Sequence, residues 1–353
     1  MAPCESSVGP FPIFGSPYGV ARYPLAVRRP LSDAGASRRN GAHLARAAWL
    51  LLALAACGAG SADSRTPPFD PDRAWSDLET VVGFGPRPAG SAALDELREW
   101  LVAQLSEAGL EPVREEFEAD TPLGPIEMEN VYADLPGRAG ARGNEPPLVI
   151  LCSHIDTKRL DFPFVGANDA GSSTAVLLEL ARALAATAPH PLAYRFLFVD
   201  GEEALRERWE GRDNTYGSRH HAARLAADGR AEGVAAAIVI DMVGDRDLRL
   251  TRDTNSDPRL LDAFEEAAHE ARLGHHVWAP RQAVKDDHLS FMRVGIPSAN
   301  LIDLEFGPDN DWWHSPEDSL ENCSRESLAA IGRIVLGGLE RLEDGRLSAL
   351  RPR

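Results

Sequence analysis

Thiols are scarce in this chain of 353 residues: there are four cysteines and no CxxC spacing among them. A disulfide framework is therefore not implied, and any metal must be held by histidine and carboxylate. Positive charge is also in deficit. Lys and Arg number 37 against 54 Asp and Glu, a formal net charge of −17. That balance argues against a nucleic-acid backbone as partner and suits a cationic ligand such as a peptide amino terminus. No internal repeat is present, and no apolar run reaches the about 20 residues a comfortable transmembrane helix needs. What remains is ordinary globular composition, 44% hydrophobic and 26% charged, enough to build a core.

The head of the chain reads as an address. Residues 44–56, LARAAWLLLALAA, are apolar apart from Arg46, follow Arg38 and Arg39, and end at Cys57. This is a secretory signal pattern, and Leu54-Ala55-Ala56-Cys57 resembles the bacterial lipobox, in which the cysteine is diacylated and becomes the first mature residue. The expectation is an exported, cell-envelope lipoprotein of a bacterium, held to a membrane through Cys57. The chain then divides into a targeting region over 1–56, a flexible lipid-anchored linker over 57–70, a catalytic domain over 71–345 and a tail over 346–353.

Within the body, Leu94, Leu97, Leu101 and Leu105 recur at helical spacing between Ser91 and Gly109, predicting an amphipathic helix over 91–110. Strand-like segments at 126–134 and 148–152 suggest a hairpin. From there helices and strands alternate: helix 173–186, strand 194–200, helix 217–227, strand 235–243, helix 258–272, strand 296–304 and a closing helix through Leu328, Ile331, Val335, Leu339 and Leu342. Such alternation predicts an α/β single domain, a mixed, mostly parallel central sheet with helices on both faces, whose ligands gather beyond the carboxyl ends of the strands.

Those ends are where the chemistry lies. One strand runs into His154-Ile155-Asp156, with Asp169 following in FVGANDAG. The next runs into Asp200-Gly201-Glu202-Glu203, another into Asp241, and the last precedes His314. Clustered carboxylates repel unless a cation neutralises them, so imidazole and carboxylate together point to a divalent ion, zinc by default. Of the adjacent Glu202 and Glu203, one can ligate while its neighbour serves as general base. Asp286-Asp287-His288 offers either a helix-start cap or support for the site. Trp313 beside His314, and Trp209 in a polar loop, are hard to place in a core and read as substrate walls.

These motifs, HIDTK with FVGANDAGSSTAVLLELARAL, FVDGEEA with Trp209, DNTYGSRHHAARLA, IDMVG, KDDHLSFMRVGIP and DWWHSPED, resemble the animal-type glutaminyl-peptide cyclotransferases. That family sits within a wider clan of zinc aminopeptidases of the same fold. The resemblance implies a single zinc held by Asp169, Glu203 and His314, with Glu202 as proton shuttle. Asp241 and Asp286 would form the hydrogen-bond network around the reacting nitrogens, and Trp209 and Trp313 would wall the pocket. It also implies amino-terminal glutamine of peptides as substrate and pyroglutamate and ammonia as products. Two positions depart from the family. Cys152 matches a disulfide cysteine whose partner position falls near Thr174, so Cys152 should be a buried free thiol. Asn300 stands where the family keeps a pocket histidine, a residue counted here with the substrate-binding set. The rival reading is a di-zinc aminopeptidase, with His154 and Asp241 on a second ion. A non-catalytic surface protein would show a damaged site, and here every acid is intact.

Overall fold

A computed structural model describes residues 69–138 and 145–344. The leader, Cys57, most of the linker and the tail lie outside the described residues. Among those described, no helix is long and apolar enough to cross a membrane.

The elements in chain order are α1 (Pro71–Gly83), α2 (Ala92–Glu107), β1 (Pro112–Thr121), β2 (Gly124–Leu135), β3 (Leu148–His154), α3 (Ser173–Thr187), β4 (Ala193–Val199), α4 (Tyr216–Ala227) and β5 (Val234–Asp241). They continue with β6 (Leu250–Asp253), α5 (Pro258–Glu270), β7 (Val277–Gln282), α6 (His288–Met292), β8 (Ser298–Ile302) and α7 (Arg325–Glu343). The six-stranded sheet has the order β1-β2-β4-β3-β5-β8. β4, β3, β5 and β8 are parallel, and the β1-β2 pair adds an antiparallel edge. The fold is the mixed, mostly parallel α/β domain that the alternation of elements predicts.

The local reasons are simple. Ser91 caps α2 by accepting from the Leu94 N–H, and Leu94, Leu97, Leu101 and Leu105 are fully buried on one stripe. β3, β4 and β5 are covered on both faces, which is why they read as continuous apolar runs. The expected hairpin of 126–134 with 148–152 is not formed. β2 pairs instead with β1, and β4 lies between β2 and β3. β1, PVREEFEADT, escaped notice because its exposed face is nearly all acidic and only part of the strand is buried. Cys152 is a buried free thiol, and Thr174, at the family's partner position, donates its hydroxyl to the His154 carbonyl at 3.0 Å.

Buried Glu115 pins α4 to the antiparallel edge, with His221 and Arg224 of that helix 2.8 and 3.1 Å from its carboxylate. Burial alone would raise the Glu115 carboxyl, but His221 Nδ1 at 2.8 Å and Asn130 Nδ2 at 2.9 Å outweigh it and hold the group at about 2, against an ordinary 4.5. A depressed carboxyl gives stability that is complete above its ordinary value and lost as pH falls through the folded one. Urea midpoints should therefore decline as pH drops from 4.5 towards 2. Glu115→Gln should flatten that decline and cost on the order of 3 kcal/mol at neutral pH. An unchanged acid limb in the variant would remove Glu115 as its cause.

Candidate active site

The parallel strands deliver their polar ends to one cavity of about 530 Å³, lined by Asp169, Glu202, Glu203, Trp209, Asp241, Asp286, Trp313 and His314 among others. Glu202 and Glu203 follow β4, and their backbone N–H groups donate to the buried Asp156 carboxylate at 3.0 and 3.3 Å. Asp156 thus aims the acidic pair. Asp169 sits in the turn ahead of α3, whose backbone is held by Asp318, accepting from the N–H groups of Asn168 at 2.6 Å and Asp169 at 3.2 Å. Gly166 makes that turn possible: its φ is +51°, and a Cβ there would lie 1.8 Å from the Asp169 carbonyl oxygen. Arg87, fully buried, donates to the carbonyls of Ile155 and Gly166 at 3.0 and 3.2 Å and ties the two loops together. His314 arrives from the loop between β8 and α7 with a left-handed φ of 51°, a conformation costing a non-glycine residue about 1 kcal/mol.

Two ligand sets share Asp169. Asp169, Glu203 and His314 bring ligand atoms within 4.8 Å of one another, and so do His154, Asp169 and Asp241. In the first, His314 Nε2 lies 2.8 Å from Glu203 Oε1 and 3.3 Å from Asp169 Oδ2. In the second, His154 Nε2 lies 3.1 Å from Asp241 Oδ1 and 3.2 Å from Asp169 Oδ1.

Burial should lower His314, yet Glu203 and Asp169 raise it to about 10. Burial should raise Asp169, yet bonds from His154 and His314 hold it well below the ordinary range. Burial pushes Glu202 far up, helped by Glu203 and Asp286, and pushes Asp241 up to about 7. Glu203 Oε2 is buried without a hydrogen-bond partner, and Lys158 Nζ stands 3.6 Å away. A site in which two buried carboxylates draw a proton onto the imidazole between them fits a divalent cation held by those carboxylates and that histidine.

Not every sequence candidate reaches the cavity. Asp200 turns away to Arg98, Asp287 to Ser218, and His288 to Asp253. Asn300 is fully buried and absent from the cavity wall; its Nδ2 donates to Asp286 Oδ2 at 2.7 Å. Trp313 does line the cavity, and its indole N–H also donates to Asp169 Oδ2 at 3.2 Å. Asp156, Asp318 and Arg87 were missed as supports, although the first two lie inside the quoted motifs HIDTK and DWWHSPED.

A mostly parallel sheet presenting imidazole and carboxylate ligands at its strand ends defines a metallopeptidase-like hydrolase fold. Residues 130–338 match the family described as Peptidase family M28, and the chain belongs to it. Within that family it groups with the glutaminyl cyclases. It is 32% identical over 298 residues to a glutaminyl-peptide cyclotransferase-like protein of Mus musculus, spanning 76% of this chain and 74% of that one. A solved Acidobacteriales bacterium glutaminyl cyclase aligns at 32% identity with a TM-score of 0.74, covering 79% of this chain and 96% of that one. The Porphyromonas gingivalis glutaminyl cyclase aligns at 26% identity with a TM-score of 0.69, over 78% and 99%.

Proposed function

We propose that this chain is a glutaminyl-peptide cyclotransferase, closing the amino-terminal glutamine of peptides and proteins to pyroglutamate with release of ammonia. The observation that carries the reading is the cavity wall. Trp209 and Trp313 face the same space as Glu202 and the ligand set, giving a planar carboxamide flat aromatic surfaces beside an acid that belongs to neither ligand set.

Asp169, Glu203 and His314 are the residues that would hold zinc. When bound there, zinc supplies Lewis acidity towards the γ-carboxamide oxygen of the substrate. The side chains do the rest. The substrate α-amine attacks the γ-carbonyl carbon, a C–N bond forms in the new ring, and the bond to the amide nitrogen breaks. Glu202 accepts the proton that the amine loses and returns it to the departing ammonia. Its raised affinity for a proton, caused by burial beside Glu203 and Asp286, suits a group that must both take and give one near neutrality. Asp241 and Asp286 accept hydrogen bonds from the amine and the leaving nitrogen, and Asn300 fixes the Asp286 carboxylate from behind.

The second ligand set, His154, Asp169 and Asp241, favours one alternative: a two-zinc aminopeptidase in which Asp169 bridges and Glu202 activates water. A Gln-initiated and a Leu-initiated dipeptide, incubated separately with the zinc-loaded protein and followed by mass spectrometry, separate the two. The expected result is loss of one ammonia from the first and no free leucine from the second. Free leucine without ammonia would replace the cyclase reading with the hydrolytic one. The leader supports export, with Cys57 as the acylated anchor of a bacterial envelope protein. Palmitate labelling that survives Cys57→Ser would remove that anchor.

A further inference from the structure

A second cavity, of about 400 Å³, lies between α4 and α6 on the far side of the 204–214 segment. That segment gives Trp209 to the catalytic cavity and Arg212 and Asn214 to this one. Its wall holds three arginines, Arg212, Arg219 and Arg293, with Asn214, Ser290 and Val294, and no carboxylate lines it. In a chain with net charge −17 this is a local inversion of sign. Arg98, Arg114, Arg182, Arg195 and Arg252, by contrast, each hold a carboxylate oxygen within 4.0 Å. Among the described residues, no ion pair joins Arg212, Arg219 or Arg293 to an acid.

Arg219 is already fixed. Its guanidinium donates to the carbonyls of Arg212 and Asn214, both at 2.8 Å, and it lies 4.9 Å over the Tyr216 ring. Half-burial lowers its pKa, and repulsion from Arg212 and Arg293 lowers it further, against a smaller opposing pull from Tyr216 and from Asp287 behind the cavity wall. Arg212 and Arg293 are exposed on either side of it.

We propose that this cavity binds a phosphoryl group, gripped by Arg212, Arg219 and Arg293, with Asn214 and Ser290 as further polar partners. The guanidinium fork matches phosphate oxygens in pairs, and the volume suits a phosphorylated small molecule or lipid headgroup better than a bare ion. The site shares no residue with the ligand sets or with Glu202, so it stands independently of the catalytic reading.

Titration calorimetry of the zinc-loaded protein with inorganic phosphate, in chloride buffer of matched ionic strength, tests it. Saturable binding is expected. The doubly substituted Arg212→Ala, Arg293→Ala protein should bind at least about tenfold more weakly, since each lost guanidinium removes charge-assisted hydrogen bonds. Arg333→Ala, another exposed arginine, should bind as the parent does. The double variant removes two exposed side chains, so its Tm in chloride and its turnover should match the parent's, separating lost binding from lost folding. Co-sedimentation with phosphatidylglycerol vesicles, set against phosphatidylcholine vesicles, then assigns the source. Vesicle binding lost in the double variant identifies a lipid headgroup, and phosphate binding without vesicle binding identifies a soluble ligand. Phosphate affinity equal in parent and double variant would place the anion elsewhere, and no saturable binding of either probe would overturn the proposal outright.

Discussion

Glu202→Gln is expected to lower kcat for a Gln-initiated peptide by about 10²- to 10⁴-fold while zinc content stays at the parent level. The amide keeps the volume and the backbone geometry, including the N–H that Asp156 accepts at 3.0 Å, and removes only the ability to carry a proton. KM should change little, because the aromatic walls and the remaining acids that meet the substrate are untouched. Ammonia release measured beside metal content by atomic absorption decides it. A loss under tenfold would sink the shuttle role, and a fall in zinc would make Glu202 a ligand. Glu202 belongs to neither set of mutually close ligand atoms, whereas Glu203 lies 2.8 Å from His314. The variant therefore tests the division of labour between two adjacent glutamates that no composition or spacing could assign.

That division shows what kind of information the sequence carried. The buried strands β3, β4, β5 and β8 were legible because burial on both faces demands apolar runs, and because β3 and β5 end on His154 and Asp241. Strand ends point to the region of the site, whereas Asp169, Glu203 and His314 are singled out as a ligand set by the family resemblance. Strand order was not legible. β2 pairs with β1 and β4, so the segment expected to face β3 across a hairpin is separated from it by a whole strand. Connection length says which neighbours are possible, and only packing decides among them. The supports were harder still. Asp156 and Asp318 bind backbone N–H groups of the loops that bear the ligands, and Arg87 binds carbonyls. Contacts with backbone leave no residue-type signature on the partner. Asn300 is placed in the substrate set because the resembled family keeps a pocket histidine there, and in the fold its amide donates to Asp286.

The two histidines of the cluster separate the one-ion from the two-ion reading, and His314→Ala should have the larger effect. It removes the only imidazole of the Asp169-Glu203-His314 set. Two carboxylates that now raise that imidazole to about 10 are left facing each other. Zinc affinity should collapse and turnover fall at least about 10³-fold, the scale expected when a catalytic ion is lost. His154→Gln acts on the other set. Its amide can still donate towards Asp241 and Asp169, which the native Nε2 meets at 3.1 and 3.2 Å. If one zinc suffices, His154→Gln should bind one equivalent, like the parent, and keep turnover within about tenfold, the cost of disturbing a group that only orients the site. If two ions act together, the parent should bind two equivalents, the variant one, and activity should fall as far as in His314→Ala. Metal stoichiometry and ammonia release on the same three samples settle the count. Asp169, the one carboxylate common to both sets, permits either occupancy, so only the histidines on its two sides can tell them apart.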